Sequence, residues 1–179
     1  MNNGCDMKEK EVKISLPKRK ALELFKNLKE SAIFKGKDSE KNLILDSKNR
    51  ELGKKGMLLR LRKRQDGSFL TFKGPVERSQ RNIKVREEIE VSVSSPSKLL
   101  YMLEKCGFIV VNEYSKQRWN FDLKKVSVQF DKVPGLGYFV EIENPDENKI
   151  ESTIKTCGLG NFDRITESYS ELVEMKKRS

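Results

Sequence analysis

Histidine is absent from this 179-residue chain. That removes Ser-His-Asp and Cys-His catalysis and every histidine-based metal site. Cysteine is scarce: Cys5, Cys106 and Cys157 are widely scattered and form no CxxC pair. A disulfide framework and a cysteine zinc site are excluded, and a reducing, cytoplasmic setting is expected. No apolar run approaches the roughly 20 residues that a membrane span requires. The N-terminal MNNGCDMKEKE has no apolar signal region either. Any metal would have to be held by oxygen, which favours Mg²⁺, Mn²⁺ or Ca²⁺.

What the chain has is charge. Lys and Arg number 37 against 27 Asp and Glu, a formal net charge of +10. Such an excess suits an anionic partner: nucleic acid, an acidic membrane surface or phosphates. A single domain spanning 1–179 is expected, large enough for a core without disulfides.

Strand-like segments cover 8–16, 42–46, 57–64, 68–73, 84–93, 109–121, 125–131 and 137–143. Pro17 predicts a helix over 18–31 with an apolar stripe of Leu22, Phe25 and Leu28. Pro96 predicts another ending at Gly107, a third follows Pro145 and closes at Gly158, and a fourth covers 166–177. Strands outnumber helices and follow one another closely, which predicts an antiparallel α+β domain.

Alternate side chains of a strand share a face. Glu9, Glu11 and Lys13 therefore lie together, opposite Val12, Ile14 and Leu16. Carboxylates two residues apart stand roughly 6.6 Å apart along a strand and repel by roughly 2.5 kcal/mol at an effective dielectric of about 20. A cation would relieve that cost. The same parity returns in Arg60, Arg62 and Arg64, in Thr71 and Lys73, and in Arg86, Glu88 and Glu90. It returns again in Lys116, Arg118 and Asn120, in Gln129 and Asp131, and in Glu141 and Glu143. Two architectures fit. Either the charged faces point to solvent and pair weakly across strands, or the sheet closes with those faces inward as a site for a highly charged ligand and its metals.

The motifs resemble the CYTH-domain family, the triphosphate tunnel metalloenzymes that include class IV adenylyl cyclases and thiamine triphosphatases. Glu9-x-Glu11-x-Lys13 resembles the family's ExExK signature, Leu59-Arg60-Leu61-Arg62 its LRLR strand, and the segment from Leu70 to Pro75 its LTxKGP element. Arg86-Glu87-Glu88-Ile89-Glu90, Lys116-Gln117-Arg118, the stretch from Asp131 to Gly137 followed by Glu141-Ile142-Glu143, and Ser168-Tyr169-Ser170-Glu171-Leu172 follow in the family's order. The resemblance implies an eight-stranded antiparallel closed β-barrel with helices packed outside and a bore that binds a triphosphate. By the same resemblance Glu9, Glu11, Asp131, Glu141 and Glu143 would hold one or two Mg²⁺ or Mn²⁺ ions. Lys13, Arg60, Arg62, Lys73, Arg86, Lys116 and Arg118 would grip the phosphates, with Lys13, Arg60, Arg62 and Arg118 closest to the chemistry. Glu88 and Glu90 would support the metal shell or orient the arginines.

The reaction is expected to be metal-dependent triphosphate hydrolysis, acting on tripolyphosphate, a nucleoside triphosphate or thiamine triphosphate. The alternative is cyclisation of ATP to cyclic AMP and pyrophosphate. Class IV cyclases carry a His-Phe pair before ExExK, where this chain has Asn3-Gly4. A third reading is a non-catalytic barrel that binds polyphosphate or RNA. The expected partner is a small-molecule triphosphate, without membrane or nucleic acid, and with a homodimer left open. Among other residues, Trp119 is expected to pack under a helix and the turn at 134–137 to be a hairpin. The basic runs at 18–20 and 176–178 are expected to be solvated helix ends, and Cys106 and Cys157 to be buried and inert.

Overall fold

The protein is described by a computed structural model covering residues 8–178, so Cys5 and the Asn3-Gly4 pair lie outside the described residues. The strands are β1 (Lys8–Leu16), β2 (Ile33–Ser47), β3 (Leu58–Arg64), β4 (Gly67–Lys73), β5 (Glu77–Arg78), β6 (Lys84–Ser92), β7 (Phe108–Leu123), β8 (Val126–Val133), β9 (Gly137–Glu143) and β10 (Arg164–Ile165). The helices are α1 (Lys18–Ser31), α2 (Glu51–Lys54), α3 (Pro96–Lys105), α4 (Glu147–Thr156) and α5 (Tyr169–Arg178).

Eight strands run in the order β1-β9-β8-β7-β2-β3-β4-β6, and β6 pairs back onto β1 to close the barrel. Every pairing is antiparallel, with Glu9 opposite Arg86 at the closure and Glu11 opposite Glu143 on the other side of β1. The short β10 and β5 extend β1 and β6.

The alternation in β1 shows why the barrel closes with its charge inside. Val12, Ile14 and Leu16 face outward and are buried beneath α1 and α4, where they meet Ala21, Leu24, Leu28, Ile150 and Ile154. The neighbouring strands add Val128, Phe130, Val140 and Ile142 to the same cluster. The helices thus remove the outer apolar faces of β1, β8 and β9 from water, each fully buried aliphatic side chain contributing about 1.5–3 kcal/mol. A second cluster seats α3 through Leu99, Leu100 and Leu103 on Leu43, Leu45 and Leu61. A third packs Tyr169 and Leu172 of α5 against Val133 and Phe139. With helices on the apolar face, the charged face is left to line the interior, and Glu11, Lys13, Arg60, Arg62, Arg86, Lys116, Arg118 and Glu141 are all buried.

The second strand is longer than its sequence suggests. Residues 33–41 alternate too little to read as a strand, yet β2 pairs with β7 from Ile33 to Ser47. Only the ladder with the partner strand fixes this polar stretch, a case of tertiary pairing overriding propensity. A register shift between Phe34 and Gly36 is accommodated by Gly36, whose φ of 129° a side chain would resist. The short α2 was also unsignalled. It forms because Asp46 accepts hydrogen bonds from the amides of Leu52 and Gly53, at 3.0 and 2.9 Å. Trp119 packs edge-on against Phe25 of α1, as expected, and Gly135 makes the β8–β9 hairpin turn with φ 79°. Cys106 is exposed rather than buried, because it caps the solvent-facing end of α3, whereas Cys157 is partly buried. Burial pushes the Cys157 thiol up to about 11. No helix among the described residues is long and apolar enough to cross a membrane.

Candidate active site

The barrel encloses a cavity of about 540 Å³. Its wall carries Lys13, Arg60, Arg62, Lys73, Arg86, Lys116 and Arg118 among the expected cations, and Glu9, Glu11, Glu88, Glu90, Glu141 and Glu143 among the expected acids. Strand parity delivers them, since every one lies on the face opposite the helix-covered residues. The one expected residue not in the wall is Asp131.

Asp131 is fully buried, and its carboxylate is already spoken for. Oδ1 accepts from Arg118 Nε at 2.7 Å, and Oδ2 accepts from Arg118 Nη2 at 2.6 Å, Tyr169 Oη at 2.8 Å and Lys116 Nζ at 3.1 Å. With four donors engaged, it holds the cations around it in this arrangement. The ligand role that the resemblance implied would need one of these contacts to be exchanged for the metal.

The remaining charges form a lattice in which the buried cations other than Arg86 meet carboxylates. Lys73 contacts Glu9 at 2.9 Å and also pairs with Glu88. Lys84 contacts Glu11 at 2.8 Å, and Lys13 contacts Glu141 at 3.3 Å. Arg118 also pairs with Glu141, and Arg62 with Glu90. Pairing offsets the desolvation that isolated buried ions would suffer. Arg86 is tied differently: it donates to the backbone carbonyls of Gly74, Gly56 and Lys73 and so fastens the end of β4. It stands where the bore meets a second cavity of about 750 Å³ beside α5.

Two donors stand out because they have no acceptor. The Nε atoms of Arg60 and Arg62 are buried without a hydrogen-bond partner. A buried unpaired donor costs about 1–3 kcal/mol, and more when charged.

Glu40, Lys84, Tyr114 and Tyr169 also line the bore and were not anticipated. Lys84 shares the parity of Arg86, Glu88 and Glu90, so its signal was present. Glu40 fell in the stretch that does not read as strand. It approaches Arg62 and Lys116, both at 3.7 Å. Burial would raise it, but the charges of Lys116, Arg118 and Arg62 prevail and bring it down to about 2.

The acids at the β1–β9 edge behave oppositely. Glu143 is pushed up to about 7 by burial and by the neighbouring charges of Glu9 and Glu11. Glu9 is also raised, chiefly by burial, although Lys73 pulls the other way. Among the described residues Glu143 has no cation partner in an ion pair, and its carboxylate stands beside those of Glu9 and Glu11, hard oxygen donors of the kind that fit Mg²⁺ or Mn²⁺. As arranged, no three acidic side chains among the described residues are gathered into a ready metal-binding group. Glu9 and Glu11 are held by Lys73 and Lys84 instead.

The raised Glu143 has a consequence for stability. Its unfolded value is near 4.5, so between about pH 4.5 and 7 the folded state holds the extra proton, and stability falls as pH rises. The loss amounts to roughly 3 kcal/mol at most. Thermal unfolding of metal-free protein between pH 5 and 7.5 should show a falling Tm, and Glu143→Gln should flatten the slope. An equal slope in the variant would contradict the assignment.

Comparison with known proteins agrees with this geometry. A protein of Methanocaldococcus jannaschii named as a candidate adenylate cyclase is 28% identical over 176 residues, covering 93% of this chain and 98% of its own. The structure of a Pyrococcus horikoshii protein matches with a TM-score of 0.79 at 29% identity, covering 94% of this chain and 99% of that one. A Hippeastrum protein, named as a candidate adenylyl cyclase and described as having a dominant triphosphatase activity, shares the fold with a TM-score of 0.75 at 18% identity, over 94% and 96% of the two chains. The model of the CYTH domain matches residues 7–169, and the chain belongs to the CYTH domain family.

Proposed function

We propose that the tunnel binds a linear triphosphate together with Mg²⁺ or Mn²⁺ and hydrolyses it to release phosphate. The observation that carries this reading is the bore itself, whose wall gathers Lys13, Arg60, Arg62, Lys73, Lys116 and Arg118, with the buried Nε atoms of Arg60 and Arg62 left without an acceptor. Guanidinium forks suit phosphate oxygens in geometry and charge. Lys13, Lys73, Lys116 and Arg118 add further positive charge, each exchanging part of its carboxylate contact for substrate. Glu9, Glu11 and Glu143 would hold the metal, with Glu141 and Glu88 adjoining. When bound, the metal neutralises phosphate charge and lowers the cost of forming the attacking oxygen nucleophile. The protein's own share is positioning and charge stabilisation in a bore that limits water, which is the larger part of phosphoryl-transfer catalysis. The acidic set argues against a non-catalytic anion binder, since four or more carboxylates would only repel such a ligand.

Hydrolysis is preferred to cyclisation because the wall reads phosphates and offers little to a base. Its apolar members are Leu58 and Pro145, and its aromatic members are Tyr114 and Tyr169, which pack on each other at 6.0 Å between centroids. Cyclisation needs the ribose hydroxyl held in near-attack geometry, whereas hydrolysis needs only the triphosphate held. The cyclase reading rests on the name of the Methanocaldococcus jannaschii relative. The two separate in one assay of purified protein with Mn²⁺ or Mg²⁺. ATP should yield ADP and phosphate, and tripolyphosphate should be cleaved at least as fast. Stoichiometric cyclic AMP and pyrophosphate from ATP, with tripolyphosphate inert, would make the protein a cyclase.

A further inference from the structure

We propose that Tyr169, the first residue of α5, is a positioning residue that aims the ammonium groups of Lys13 and Lys116 into the bore, with Asp131 as its anchor. The proposal rests on the reading of the tunnel as a triphosphate site and assigns part of that site to the C-terminal helix.

Tyr169 is 4% exposed, in a cluster with Val133, Phe139 and Leu172, yet it also lines the bore. Two ammonium groups bear on its ring: Lys13 Nζ lies 4.2 Å from the centroid and Lys116 Nζ lies 4.9 Å from it. Both are within cation–π range, where a desolvated site strengthens the attraction. These lysines come from β1 and β7, which are not neighbours in the barrel. The ring therefore gives two distant strands a common seat. Its hydroxyl donates to Asp131 Oδ2 at 2.8 Å, the same oxygen that Lys116 reaches at 3.1 Å. Burial and the Asp131 charge hold the phenol well above its ordinary value, so it stays a donor. Lys13 is fixed further by donating to the backbone carbonyl of Glu167, two residues before Tyr169, at 3.1 Å. Each lysine also meets carboxylates, Lys13 at Glu141, 3.3 Å away, and Lys116 at Asp131 and Glu40, 3.1 and 3.7 Å away. The ring adds a contact shared by the two ammonium groups and so fixes where they stand in the wall, from which each can exchange part of its carboxylate contact for phosphate oxygens.

The test is calorimetric titration of tripolyphosphate in EDTA, which reads binding without turnover, alongside Tm and, with metal restored, KM and kcat for phosphate release. Tyr169→Leu should weaken binding about tenfold, the scale of two cation–π contacts, and raise KM more than it lowers kcat. Tyr169→Phe keeps the ring and should bind within threefold of wild type. Leu172→Ala removes a side chain from the same cluster without touching either lysine; it should lower Tm yet bind within threefold. If Tyr169→Leu does not fold, Tyr169→Met preserves the volume without the ring and should show the same tenfold loss. Equal weakening by Phe and Leu, equal weakening by Leu172→Ala, or wild-type binding in the ring-less variant would each overturn the proposal. Wild-type protein that neither binds tripolyphosphate in EDTA nor cleaves it with metal restored would instead overturn the triphosphate reading, and this inference with it.

Discussion

Replacing Glu11 with Gln should reduce turnover of tripolyphosphate more than a hundredfold. Glu11 stands opposite Glu143 in the β1–β9 ladder, beside Glu9 on the same face, and is 7% exposed. Losing one direct charge partner of a bound cation in such a site costs about 3 kcal/mol or more, and every 1.36 kcal/mol is a factor of ten in rate. Glu9→Gln should behave alike. Neither change should unfold the metal-free protein, because relieving repulsion at the acidic edge partly offsets the ion pair lost with Lys84 or Lys73. The measurements are phosphate release at saturating Mn²⁺ and thermal unfolding without metal. Retention of more than a tenth of wild-type activity in both variants would remove these carboxylates from the metal site.

Arg60→Ala or Arg62→Ala should each weaken kcat/KM by about 1.5–3 kcal/mol, the scale of charge-assisted hydrogen bonds, or roughly ten- to a hundredfold. Each variant deletes a buried guanidinium whose Nε has no protein acceptor. Arg→Lys should recover only part of the loss, since a point charge cannot reproduce the fork. Arg64 is the internal control. It follows the same parity and reaches the bore, but its guanidinium is committed to Asp66 by two hydrogen bonds of 2.9 Å and stacks 4.3 Å from the Phe69 centroid. Arg64→Ala should therefore cost less than either. Equal effects at all three positions would mean the bore does not distinguish its deep arginines from its rim.

The period-two pattern of charge told which residues share a face but not whether that face pointed in or out. The deciding fact is where the apolar faces go: Val12 and Ile14 are covered by α1 and α4, and Leu61 by α3, leaving the charges only the interior. That depends on helix placement, which strand periodicity does not encode. Glu40 was illegible for a related reason. Its strand is built by pairing with β7 across the whole of 33–47, and no local propensity announces it. Asp131 shows a different limit. Its motif placed it in the barrel, but the contacts it makes there, with Arg118 and Lys116 of β7 and Tyr169 of α5, come from elements that its own strand does not announce. Lys84 was legible by parity, and Tyr169 was not, since a tyrosine opening a helix reads as packing until two lysines are found on its ring.

The most direct test of the account is phosphate release from tripolyphosphate by the purified wild-type protein, with Mg²⁺ or Mn²⁺ in one arm and excess EDTA in the other. The account requires steady release with either ion and none above background in EDTA, restored when the ion is returned in excess. Full release in EDTA would contradict the metal's part, and no release under any ion would contradict triphosphate hydrolysis itself.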